Sequence, residues 1–80
     1  MRYNYLLDDS MDHTLTWDDS YAIALQLIER HPGVNLEEVS LGMIYHWTVE
    51  LPEFCDDLQL ANDVILSAIY QAWFEEVNPL

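Results

Sequence analysis

The sequence predicts a small, mainly α domain of three helices with at most one or two short strands. Apolar residues recur at helical spacing in three separate stretches. Those stretches are divided by capping and breaking residues, namely Thr16, Pro32–Gly33, Pro52 and Asn62. Of the 80 residues, 51% are hydrophobic, which suits one compact core and not a disordered chain. A chain of this length folds as a single unit with little stability to spare.

Residues 1–14, MRYNYLLDDSMDHT, show no sustained period and read as an N-terminal extension, extended or mobile, ahead of a helical domain at 15–80. The first helix is expected from near Trp17. Thr16 with Asp19 resembles a capping box, and Asp18 and Asp19 suit the positive end of the helix dipole. Ile23, Ala24, Leu27 and Ile28 form its apolar stripe, Arg30 and His31 close its last turn, and Pro32–Gly33 ends it. GVNLEEVS then reads as a linker with extended character and room for one short strand. A second helix is expected from about Gly42 to Leu51, with Ile44, Trp47, Thr48 and Leu51 on one face and Pro52 as the stop. The third begins at an Asn62 cap with Asp63 in its first turn. From Val64 to Phe74 only Ser67 and Gln71 are polar, so this helix is expected at the centre of the core. Glu75 and Glu76 then fall in its last turn, where the dipole disfavours acids. Packing does not account for that placement.

Charge narrows the function. Fifteen Asp and Glu against two Lys and Arg give a formal net charge of −13. Such a surface repels phosphates, so nucleic acid and anionic membrane are poor partners. It attracts cations and basic protein surfaces. No run is long and apolar enough for a membrane span, and no basic region followed by an apolar stretch marks a secretory signal. A single cysteine cannot close an internal disulfide and fits a reducing compartment. These features lead us to expect a soluble, cytoplasmic, monomeric protein.

Residues 50–57, ELPEFCDD, pack Glu50, Glu53, Asp56 and Asp57 around Cys55. Carboxylates suit hard cations and iron, but no fixed ligand spacing is present, and a solvated acidic loop is the plainer account. Cys55 with His46 is a poor nucleophile pair, because neighbouring acids raise a thiol pKa. His46 and Glu50, four apart, are placed for an exposed ion pair. No Gly-rich phosphate loop, Cys-x-x-Cys or His-Glu-x-x-His pattern occurs, so an enzyme is not expected.

The stretches TWDDS, HPGV, IYHW, LPEF, CDDLQLAND and ILSAIYQAWFEE, taken in order and at their spacing, resemble the IscX family of small acidic iron–sulfur cluster assembly proteins. Trp17-x-Asp19-Ser20, Pro32, Trp47, Leu51, Phe54, Asp56-Asp57, Asn62, Ile65-Leu66, Ala68-Ile69 and Trp73-x-Glu75 carry the likeness, from Leu15 to about Glu76. The resemblance implies a modified winged helix (helix-turn-helix-like) whose acidic face docks on a basic patch of a cysteine desulfurase, where frataxin and ferredoxin compete. It also implies weak iron binding through surface carboxylates and no catalysis. On this reading Asp18, Asp19, Glu50, Glu53, Asp56, Asp57, Glu75 and Glu76 form the partner face, and Asp19, Asp56 and Asp57 are the candidate metal ligands. Two alternatives remain: a protein whose weak iron binding serves storage or donation as its primary role, and a generic acidic domain for another basic partner.

Overall fold

The computed structural model describes residues 14–78. Residues 1–13 and 79–80 lie outside the described residues, and with them most of the N-terminal extension. Three helices make the domain: α1, Ser20–Arg30; α2, Leu41–Val49; and α3, Asp63–Val77. Two single 3-10 turns, Leu36–Glu38 and Leu58–Leu60, connect them. The mainly α class holds. Among the described residues, extended pairing is confined to one isolated parallel bridge between Leu15 and Phe54, so no strand pair forms a β wing.

Local chemistry explains the boundaries. α1 starts later than expected, at Ser20, because residues 16–19 close a turn of their own: the Asp19 N–H donates to the Thr16 carbonyl at 2.9 Å. Half of the expected capping box survives within that turn, with the Asp19 carboxylate accepting from the Thr16 N–H at 2.9 Å. Asp18 and Asp19 therefore precede the first helical turn. At the other end His31 caps α1, and Gly33 takes a φ of 78°, a left-handed conformation that glycine adopts without Cβ strain.

The linker forms a 3-10 turn in place of a strand, because the Asn35 side chain accepts the Glu37 N–H at 3.0 Å and bends the chain locally. Ser40 caps α2 by accepting the Met43 N–H at 3.1 Å. α2 ends at Val49, ahead of Leu51 and Pro52. Asn62 caps α3 as expected, accepting the Ile65 N–H at 2.9 Å.

α3 packs on both α1 and α2, most extensively on α1. Ile23, Leu27, Ile44 and Ile69 are fully buried, each stabilising the fold by roughly 1.5–3 kcal/mol relative to an exposed side chain. Only the Leu66–Ile69–Trp73 stripe of α3 is buried, whereas Val64, Phe74 and Val77 face solvent. With two neighbouring helices to cover it, this apolar helix keeps an uncovered side.

Candidate functional site: an acidic corner pinned by Trp17

Trp17 is 3% exposed and organises one corner of the domain. Its ring stacks on Tyr45 at 5.9 Å between centroids and meets Phe54 edge-on at 4.6 Å. Its backbone N–H donates to Asp56 Oδ2 and its indole Nε1–H donates to the Asp57 carbonyl, both at 2.9 Å. The Leu15–Phe54 bridge adds two backbone bonds: Leu15 N–H to the Glu53 carbonyl at 2.8 Å, and Cys55 N–H to the Leu15 carbonyl at 2.9 Å. The segment before α1 is thus clamped to residues 53–57, far away in sequence.

The clamp gathers most of the carboxylates named from sequence. Asp18 and Asp19 arrive on one strand of it, and Glu53, Asp56 and Asp57 on the other. Glu76 joins from α3, where Oε1 accepts a hydrogen bond from the Tyr21 hydroxyl in the first turn of α1 at 3.1 Å. That bond, followed by the negative charge on Glu76 and a little desolvation, pushes the Tyr21 phenol above its usual pKa. Glu75 turns to Gln71 Nε2 at 2.9 Å instead. Glu50, the C-cap of α2, is exposed. What joins it to His46 is a backbone bond, Glu50 N–H to the His46 carbonyl at 3.2 Å, and not a side-chain ion pair.

Two kinds of acid can be separated here. Asp19, Asp56 and Asp57 have structural work. Asp19 Oδ2 holds the Thr16 N–H and, at 3.2 Å, its hydroxyl. Asp56 holds the Trp17 N–H and, through Oδ1 at 2.7 Å, the Asp57 N–H. Asp57 Oδ1 accepts the Gln59 N–H at 3.0 Å and opens the second 3-10 turn. These are the three residues named as metal ligands. Among the described residues, no group of three or more His, Cys, Asp or Glu side chains is placed to hold a metal ion. The donor set therefore does not form a closed site for iron. Asp18, Glu50 and Glu53 remain exposed and free to meet a partner's charge.

Sequence reasoning did not find the hub itself. Trp17 and Phe54 entered through the family likeness and Tyr45 was given no role, and the signal lay in the indole N–H, which needs an acceptor when buried. It also did not find the stack of His31 on Trp47, with ring centroids 4.0 Å apart.

A protein-family profile described as "Iron-sulphur cluster assembly" matches residues 15–78. The chain belongs to this iron–sulphur cluster assembly family, the IscX family. It is similar to "Uncharacterized protein PA3808" of Pseudomonas aeruginosa, at 44% identity over 63 residues, covering 79% of this chain and 96% of that protein. No described helix is long and apolar enough to cross a membrane.

Proposed function

We propose that this chain serves iron–sulfur cluster assembly by docking its acidic corner on a basic surface of a cysteine desulfurase and modulating that enzyme. It acts in the cytoplasm as a monomer and performs no catalytic step of its own. The observation that supports this is the clamp, which brings Asp18, Asp19, Glu53, Asp56 and Asp57 together at the foot of α1, with Glu76 beside them. A summed field from several carboxylates suits steering towards a positive patch, and no single one need contribute much.

Iron, as cargo, takes second place. The exposed Asp18, Glu50 and Glu53 offer single carboxylates, which give weak, salt-sensitive association and not a closed coordination shell.

The test is titration of a purified cysteine desulfurase at low and moderate salt. It uses the wild type and a variant with Asp18, Glu50, Glu53 and Glu75 all changed to Lys. Exposed pairs contribute about 0.5 kcal/mol each, so losing four attractions costs about 2 kcal/mol, a roughly thirtyfold loss of affinity. Affinity should also fall steadily with salt. Binding that ignores both salt and the four reversals would overturn the proposal. Tight one-to-one ferrous iron binding that survives moderate salt would favour iron carriage as the primary role.

A further inference from the structure

α3 ends beside a groove of about 250 Å³ that the docking argument does not use, lined by Val34, Asn35, Leu36, Glu37, Phe74, Val77 and Asn78. It lies below the roughly 300–1,000 Å³ of typical small-molecule sites, so it suits one side chain better than a cofactor. Its frame is fixed. The Tyr70 hydroxyl donates to the Leu36 carbonyl at 3.0 Å, and the Asn35 side chain holds the Glu37 N–H at 3.0 Å. Two walls are apolar side chains that the fold leaves uncovered, Phe74 and Val77, each 45% exposed.

The lining carboxylate and the end of α3 at this groove share one sign. Among the described residues, Glu37 is the only formal charge in its lining. α3 directs the negative end of its dipole here, with no basic residue in its last turn. A metal ion would need converging carboxylates, and the lining supplies one. Between organic cations, an ammonium is strongly hydrated and compact. A guanidinium is planar and weakly hydrated, stacks on an aromatic face and pairs with a carboxylate edge.

We infer that the Val34–Glu37/Phe74–Asn78 groove is a receptor for one arginine side chain of a partner protein. The guanidinium lies against Phe74 and Glu37, and the aliphatic stem lies along Val34 and Val77. This deepens the docking reading and rests on it for the occupant being a protein. It turns a diffuse attraction into one with a specific anchor.

The probe is Nα-acetyl-arginine amide, with Nα-acetyl-lysine amide as the equal-charge control, titrated into the full chain at constant ionic strength. Backbone amide NMR shifts are the readout. Arginine amide should shift residues 34–37 and 74–78 saturably and bind about two- to fivefold tighter than lysine amide. Glu37→Gln should weaken arginine binding. Phe74→Leu keeps the apolar wall, so it should erase the preference for arginine over lysine. Equal binding of the two amides, shifts no larger here than at Asp18 and Glu53, or wild-type behaviour of both variants would each overturn the inference. The assay contains no desulfurase, so its failure leaves the docking proposal standing, and salt-insensitive desulfurase binding would remove that proposal without touching this result.

Discussion

Asp56→Ala separates a carboxylate that holds the fold from one that decorates it. The substitution removes the acceptor of the Trp17 N–H, a donor on a residue that is 3% exposed. A hydrogen bond to a charged acceptor contributes about 1.5–3 kcal/mol, and a buried donor left without a partner loses a similar amount. The second bond, from the Asp57 N–H, is exposed, and water replaces it at little cost. Against this, one negative charge is removed from a body of formal charge −13, which favours the variant by a few tenths of a kcal/mol. The net expectation is a loss of about 2 kcal/mol.

For a domain of this size each kcal/mol moves Tm by about 4–8 °C, so Asp56→Ala should melt roughly 8–16 °C below the wild type. Urea unfolding followed by tryptophan fluorescence should show a lower midpoint with an unchanged slope. Asp18→Ala is the control: it removes the same charge from an exposed turn residue and should match or slightly exceed wild-type stability. The two readings of Asp56 differ in sign, which gives the test its force. If Asp56→Ala is as stable as Asp18→Ala, the clamp does not stabilise the fold and the argument built on it fails.

Further outcomes follow from other parts of the structure. Thr48 is fully buried and its Oγ1 has no hydrogen-bond partner among the described residues, so Thr48→Val should raise stability by about 1 kcal/mol in the same urea assay. Asn62→Ala removes the cap of α3 and should lower stability by about 1 kcal/mol. The Tyr21 phenol is raised by Glu76, so Glu76→Gln should bring its alkaline titration, followed by NMR at that ring, back towards the usual value. A folded-state pKa above the unfolded one gives a contribution that is complete below about pH 10 and lost as pH rises through the folded value; an unshifted midpoint in Glu76→Gln would exclude the bond.

Helix existence was legible in the sequence, because apolar spacing and the breakers Pro32, Gly33 and Pro52 are local signals. The Asn62 cap was legible for the same reason. What was not legible depends on partners distant in the chain. Thr16 and Asp19 have the chemistry of a helix start, yet they close a turn, since Asp56 and Asp57 hold Trp17 from about forty positions away. Asn35 could equally have opened a turn or led into a strand, and its capture of the Glu37 N–H decided it. The apolar length of α3 implied burial on all sides, but among the described residues no fourth element covers Phe74 and Val77. The acidic residues were legible as a set. Their separation into two kinds was not, because that rests on which oxygens accept backbone donors.

That separation changes how docking can be tested. Five of the residues that carry the family likeness, Trp17, Asp19, Phe54, Asp56 and Asp57, belong to the clamp. Reversing Asp56 and Asp57 to Lys would place two cations where Trp17 and Gln59 present N–H donors. A resulting loss of partner binding would then report a damaged corner as readily as a lost field. The exposed acids Asp18, Glu50, Glu53 and Glu75 can be reversed without touching a backbone bond made by their side chains. If docking works through the summed acidic field, those four reversals weaken desulfurase binding and raise Tm slightly through relief of self-repulsion. Binding and stability then move in opposite directions, a pattern that damage to the fold cannot produce.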